Sequence, residues 1–194
     1  ETQKANEMTT DAHARLMVTR GVKHRPFQHP SLSRSGPTLV IIMEHSKPVD
    51  RLQSAGIRLA TVPQVRGLPM SQDAKYNSHS KLNCVIACLQ AEQAGADEAL
   101  MLDPHGFVAT CNSTHFFVVR DGEVWTSTGR YCLHGITRAS ILALAADLGY
   151  KVSERDFTVG ELLQWVATYE AALSGTAACL APVGTLVYKG DEIA

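Results

Sequence analysis

Residues 115–126 read HFFVVRDGEVWT, two apolar runs separated by the pair Asp121-Gly122. Asp-Gly between such runs is a strong signal for a β-hairpin, because a two-residue type I′ turn needs positive φ at both central residues. The stretch therefore predicts antiparallel strands over His115–Arg120 and Glu123–Thr126. A sheet built only from parallel strands is thereby excluded.

The sequence on both sides of this hairpin predicts further strands. Short apolar or alternating runs bounded by Gly, Pro and Asp have the length of strands rather than of helices. These runs are Ala14–Thr19, Thr38–Met43, Ile57–Val62, Glu98–Asp103, Phe107–Thr110, Glu170–Ser174 and Ala177–Tyr188.

Three helices interrupt the strands. Apolar residues recur at helical spacing over 82–89 and 141–148, which predicts one amphipathic helix ending near Gly95 and another that ends at Gly149. The sequence from Thr158 to Glu161 has the S/T-x-x-E form of a capping box and predicts the start of a third helix. A mixed, largely antiparallel sheet with interspersed helices indicates the α+β class.

Residues 63–74 read PQVRGLPMSQDA and show no periodicity. Two prolines and a glycine in such a stretch indicate an interdomain linker. We therefore expect a small N-terminal domain over 1–62 and a larger domain over 75–194.

The composition excludes several classes of function. The 194 residues contain 18 Lys and Arg against 19 Asp and Glu, with no basic block, which argues against a nucleic-acid partner. The apolar run Leu39–Met43 is far below the ~20 residues needed to cross a bilayer. Five cysteines in apolar segments are expected to be free thiols, which favours the cytoplasm, and their spacing predicts no metal site.

Two glycine-bearing turns are candidates for an anion site. The turn of Gly135, Ile136 and Thr137 precedes a predicted helix, where free backbone N–H groups and the helix dipole favour a phosphate. The second turn, Ser174-Gly175-Thr176, follows a predicted strand and adds small hydrogen-bond donors. Together the turns indicate a phosphate site, although each alone is more often a cap or a tight turn.

Residues 75–188 resemble the class IV aminotransferases, which are fold-type IV pyridoxal-phosphate enzymes. The segments that carry the resemblance occur in family order and spacing: GADEALMLDPHGFV (95–108), NSTHFFVVRDGEVWT (112–126), LHGITRASILALAADLG (133–149) and LSGTAACLAPV (173–183). The resemblance implies a partial small α/β domain and a large domain with a mostly antiparallel, barrel-like sheet and flanking helices. It also implies pyridoxal 5′-phosphate as the cofactor.

For the cofactor, the resemblance implies a phosphate grip by both glycine turns, through Gly135, Ile136, Thr137, Gly175 and Thr176. It further implies a lysine just before the first helix of the large domain, which holds the cofactor as a Schiff base.

Lys75 lies within a residue or two of the family position of that lysine, and Lys81 is the alternative. The chemistry needs a neutral amine, which attacks the cofactor aldehyde and later acts as the general base on the substrate α-proton.

The sequence departs from the family at Thr110, where most members have a glutamate beside the pyridine nitrogen. A hydroxyl stabilises a pyridinium less than a carboxylate does, so the ring should be a weaker electron sink. An aminotransferase acting on a branched-chain or D-amino acid and a 2-oxo acid is the leading interpretation. The alternatives are a lyase of the aminodeoxychorismate type and a non-catalytic relative.

Outside the large domain, the resemblance places Arg25 near the position of an arginine that binds the substrate carboxylate in D-amino-acid members. Phe27 replaces the histidine that accompanies it. By resemblance we expect a homodimer. We also expect these 194 residues to be the core of a longer polypeptide, without the first part of the small domain and without the final helix.

Overall fold

The computed structural model describes residues 1–47, 54–164, 170–176 and 179–193. The chain divides into two compact units, Glu1–Pro48 and Val49–Ala194. In the smaller unit, helix α1 (Thr2–Ala5) precedes two antiparallel strands, β1 (Ala12–Thr19) and β2 (Thr38–His45). Arg25 lies in the connection between them and is exposed.

The larger unit is built on one sheet, which has nine strands within the described residues. They are β3 (Ile57–Thr61), β4 (Glu98–Leu102), β5 (Val108–Cys111), β6 (His115–Arg120), β7 (Glu123–Thr126), β8 (Lys151–Glu154), β9 (Glu170–Gly175), β10 (Cys179–Tyr188) and β11 (Asp191–Ile193). Their order is β5-β4-β3-β10-β9-β6-β7-β8, with β11 beside β10.

The sheet is mixed, and antiparallel pairs are in the majority. Among the described strands, β3 runs parallel to both β4 and β10, and β7 runs parallel to β8, while the other pairs are antiparallel. The core contains fully buried Leu59, Leu100, Phe117, Phe157 and Leu173. The predicted α+β class is confirmed.

Local sequence signals are realised closely. The hairpin of β6 and β7 turns at Asp121 and Gly122, which have φ of 50° and 77°. The capping box forms as predicted: the Thr158 N–H donates to Glu161 Oε2 at 2.7 Å, and the Glu161 N–H donates to Thr158 Oγ1 at 3.1 Å. Strands β8 and β11 and helix α1 were not predicted.

The helices of the larger unit are α2 (Leu82–Gln93), α3 (Ile136–Asp147) and α4 (Val159–Gln164). Helix α2 buries Ala87 and Ala91, whereas Leu82, Val85 and Leu89 are more than half exposed. The side of α2 that carries these larger apolar residues is therefore not the side that is buried in this chain. The small alanines form the buried side because they let the helix approach the sheet closely.

The predicted domain boundary and the compact units differ. Strand β3, which the sequence assigns to the small domain, pairs with β4 and β10 in the larger unit. The chain divides upstream of the predicted linker at 63–74 because these pairings hold β3 in the large sheet. No helix in the described part of the chain is long and apolar enough to cross a membrane.

Candidate functional site

A cavity of about 280 Å³ opens between the segment 66–84 and the turn that joins β5 to β6. Residues 110–115 form one wall, and Leu133, just before helix α3, completes it. Of the predicted site residues, Thr110 lines this cavity directly. The two glycine turns contact the same wall, at Thr114 and His115.

Thr110 is buried on β5, and its hydroxyl has a fixed role. Thr110 Oγ1 lies 2.8 Å from the main-chain oxygen of Thr114. A carbonyl oxygen only accepts, so the Thr110 hydrogen is used in this bond. Toward any further partner, the Thr110 oxygen therefore acts as an acceptor.

The turn after Thr110 is anchored by a buried carboxylate, Glu98 on β4. Its Oε1 accepts hydrogen bonds from Ser113 N, Ser113 Oγ and Thr114 N at 2.8–2.9 Å, and its Oε2 accepts one from Thr114 Oγ1 at 3.0 Å. Burial first, and then the charge of Glu98, raises the pKa of the neighbouring Cys111 thiol well above its ordinary value. Cys111 therefore stays a protonated thiol, and Glu98 fixes the wall that carries Thr110.

The first glycine turn lies against His115. Gly135 is the N-cap of α3 and has no side chain that caps the helix. A Cβ added at Gly135 would lie 2.5 Å from Cε1 of His115, so only glycine fits there. His115 Nε2 lies 2.7 Å from the carbonyl oxygen of Leu133, which also accepts the Gly135 N–H at 2.9 Å.

The second glycine turn lies against Thr114, the residue before His115. A Cβ added at Gly175 would be 3.4 Å from Thr114 Cγ2. Ser174 pairs with His115 across β9 and β6, so their side chains lie on the same face of the sheet. Ser174 Oγ is fully buried and has no hydrogen-bond partner among the described residues. Thr176, the last residue of this turn, is exposed.

The two candidate lysines differ in position. Lys81 is the N-cap of α2 and lines the cavity, whereas Lys75 is not among the lining residues. Both side chains are exposed. The backbone N–H of Lys75 donates to Asp73 Oδ1 at 3.0 Å, within the loop before α2.

Arg66 is a cavity residue that the sequence did not single out. Its Nε donates to the Tyr131 carbonyl oxygen at 2.9 Å, and its Nη1 lies 2.9 Å from Cys84 Sγ on α2. Arg66 therefore brings a positive charge to the cavity wall. The sequence places Arg66 in the predicted linker, where no motif marks it. His115 likewise belongs only to a predicted strand.

Helix α3 is held in place by a buried arginine. Arg138 Nη2 donates to the main-chain oxygen of Ser127 at 2.6 Å and to Glu154 Oε2 at 2.5 Å. These bonds tie the first turn of α3 to the end of β7 and to β8. Arg25 lies in the smaller unit, and its role in substrate binding stays a prediction.

The protein-family model Amino-transferase class IV matches residues 1–186 of this chain. Branched-chain-amino-acid aminotransferase-like protein 2 of Arabidopsis thaliana is 34% identical over 178 residues, which are 92% of this chain and 31% of the relative. The putative branched-chain-amino-acid aminotransferase of Methanocaldococcus jannaschii is 36% identical over 185 residues, which are 94% and 61% of the two chains.

Solved structures show the same fold. The branched-chain aminotransferase of Thermoproteus uzoniensis, determined with norvaline, aligns with a TM-score of 0.82 at 26% identity, over 97% of this chain and 61% of that one. The T.th. branched-chain amino acid aminotransferase, complexed with N-(5′-phosphopyridoxyl)-L-glutamate, gives 0.81 at 27%, over 98% and 60%. The chain thus spans about a third of the plant relative and about three-fifths of the others. The fold-type IV architecture is confirmed, and the chain belongs to the class IV aminotransferase family.

Proposed function

We propose that this chain carries the pyridoxal 5′-phosphate site of an aminotransferase, which moves an amino group between a small amino acid and a 2-oxo acid. The observation that supports it most is the convergence of two glycine turns on Thr114 and His115, beside the cavity. This chain spans only part of the length of its relatives, so the activity of the whole protein is itself a proposal.

The residues present fit a phosphate group. Helix α3 starts at Gly135 without a side-chain cap, so the N–H groups of Ile136 and Thr137 point out of the helix toward a potential anion. Ser174 Oγ is buried and has no hydrogen-bond partner among the described residues. A phosphate would accept hydrogen bonds from the Ile136 and Thr137 N–H groups, and the missing side chain of Gly175 would allow a close approach.

A lysine amine at the cavity would act twice. It would bind the cofactor covalently, and once displaced by the substrate it would take the α-proton as a general base and return it as a general acid. Position on the cavity wall supports Lys81, whereas spacing to the family motif supports Lys75. Bound pyridoxal phosphate supplies a conjugated ring that withdraws electrons from the substrate α-carbon.

Thr110 would act at the ring nitrogen. Because its hydrogen is donated to Thr114, its oxygen accepts a hydrogen bond from a protonated nitrogen and has no hydrogen to offer an unprotonated one. Thr110 therefore favours the same protonated form as a carboxylate would, although more weakly because it is neutral. The lyase alternative is not favoured, since the relatives are named as aminotransferases.

We further propose a branched-chain amino acid as the substrate, a homodimer as the working form and the cytoplasm as the compartment. The substrate rests on the names of the relatives. The compartment rests on five cysteines that are all free thiols. Light scattering on the purified protein measures the oligomeric state, and a monomer with full activity would contradict the homodimer.

Reduction of the cofactor-loaded protein with borohydride tests the function. We expect one lysine to carry the cofactor after peptide mapping, and Lys81→Arg and Lys75→Arg variants to separate the two candidates. We also expect L-leucine alone to convert the bound cofactor stoichiometrically to pyridoxamine phosphate. A protein that holds no cofactor on either lysine would refute the proposal, and repeated turnover without a 2-oxo acid would indicate a lyase.

A further inference from the structure

We propose that His115 is a positioning residue for the phosphate site: its imidazole holds the Leu133–Gly135 segment and thereby sets where the first N–H groups of α3 lie. This inference rests on the proposed function, because it assumes that the turn binds the cofactor phosphate. His115 itself does not touch the phosphate in this proposal and acts through the backbone of the turn.

The hydrogen bond of His115 fixes the orientation of its ring. Nε2 lies 2.7 Å from the Leu133 carbonyl oxygen, and since this oxygen only accepts, Nε2 carries the hydrogen. In the neutral ring, Nδ1 then has no hydrogen. The same carbonyl accepts the Gly135 N–H, so one oxygen links the imidazole to the residue that starts the helix.

Direct contact adds to this bond. A Cβ added at Gly135 would lie 2.5, 3.1 and 3.4 Å from Cε1, Nδ1 and Nε2 of His115, so the ring lies against the glycine Cα with no room for a side chain. Ile136 and Thr137 follow Gly135 directly. Any shift of the imidazole therefore moves the N–H groups that face the anion.

The ring does this without carrying charge. Burial lowers the pKa of His115, and the bond to Leu133 opposes that effect only in part. The positive charges of Arg138 and Arg66 lower the pKa further, as does His134 when it is protonated. These are the charged and titratable groups that act on the ring, so the imidazole is neutral at neutral pH and its contribution is steric and directional.

His115 also lies beside the second glycine turn, Ser174-Gly175-Thr176. Ser174, whose hydroxyl is buried and unpartnered among the described residues, pairs with His115 across the sheet. Gly175 lies against the preceding residue, Thr114. The two glycine turns thus lie against adjacent residues, Gly175 against Thr114 and Gly135 against His115.

The test compares the affinities for pyridoxal 5′-phosphate and for pyridoxal, which lacks the phosphate. Both dissociation constants are measured by fluorescence titration. The constant for pyridoxal divided by that for pyridoxal 5′-phosphate reports on the phosphate site alone. We expect His115→Leu to reduce this ratio about tenfold, since it removes the hydrogen bond to the Leu133 carbonyl oxygen and the support of the turn. His115→Gln, which keeps an N–H donor of similar reach, should restore most of the ratio.

The matched control is His105→Leu. This variant also loses a side-chain hydrogen bond, the one between the His105 ring and the Tyr131 hydroxyl at 3.1 Å, but His105 does not contact Gly135. Its ratio should equal that of the wild type. An unchanged ratio in folded His115→Leu, or a loss of the same size in His105→Leu, overturns the inference. A wild type without any preference for the phosphorylated ligand overturns both this inference and the proposed function.

If His115→Leu does not fold, ¹⁵N NMR of the histidine rings in the wild type decides. We expect the Nε2-protonated form of His115, with a ring signal that moves on addition of pyridoxal 5′-phosphate but not of pyridoxal. A signal that responds equally to both ligands, or to neither, contradicts the inference. A wild type that retains the phosphate preference but does not transaminate would refute the proposed function and leave the role of His115 intact.

Discussion

Replacing Glu98 by alanine removes the acceptor of four hydrogen bonds at the turn between β5 and β6. Ser113 is exposed, so water can replace its two bonds, whereas Thr114 is half-buried. A hydrogen bond to a charged group contributes about 1.5–3 kcal/mol, so the two Thr114 bonds set the loss at about 3–6 kcal/mol. Glu98→Gln keeps the oxygen that accepts three of the bonds and should lose only about 1–2 kcal/mol.

Thermal and urea denaturation of the two variants measure these values. For a chain of this size, 1 kcal/mol shifts the melting temperature by about 2–4 °C, so Glu98→Ala should melt about 6–24 °C lower. Glu92→Gln, on the exposed side of α2, is the matched control and should stay within about 0.5 kcal/mol of the wild type. Equal stability of Glu98→Ala and the wild type would refute the role assigned to this carboxylate.

Three further predictions concern the turn at Gly135, the capping box and pH. Gly135→Ala should lose about 1–3 kcal/mol of stability and bind pyridoxal phosphate more weakly by titration, whereas Gly36→Ala, with open space around it and outside the cavity, should change neither. Thr158→Ala should lose about 1 kcal/mol in urea denaturation, and Thr158→Ser should keep the cap. His115 has a lowered pKa in the folded protein, so the unfolded chain binds the proton more readily; stability should therefore fall as the pH drops below about 6.5, less so in His115→Gln. A cap variant as stable as the wild type, or equal pH slopes in both proteins, would contradict these expectations.

Local signals made much of the fold predictable. The Asp121-Gly122 turn and the Thr158 capping box each depend on residues at most three positions apart, and both form as the sequence predicts. Strand β8 was missed because its four residues, KVSE, carry no apolar alternation. It forms by parallel pairing with β7, and no local sequence pattern indicates that pairing.

The sequence predicts a candidate anion site from local signals but not the residues that support it. Glycines before a helix and after a strand indicate that site from their neighbours alone, and it stays a prediction. Glu98 acts on residues 15 and 16 positions later, and His115 acts on a carbonyl 18 positions later, so only the folded chain reveals them. The direction of the Thr110 hydrogen bond is likewise decided by tertiary contact with Thr114. Helical periodicity gave α2 an apolar side but could not show that Ala87 and Ala91 would face the sheet.

The adjacency of Thr114 and His115 has a consequence for protein engineering. Because Gly175 lies against the first residue and Gly135 against the second, the geometry of the proposed anion site depends on two adjacent residues. Grafting residues 110–115 together with Glu98 into a relative should carry the spacing of both turns as one module. Exchanging either residue alone should leave the two turns mismatched, so recombination within this pair is expected to yield fewer cofactor-binding chimaeras than recombination on either side.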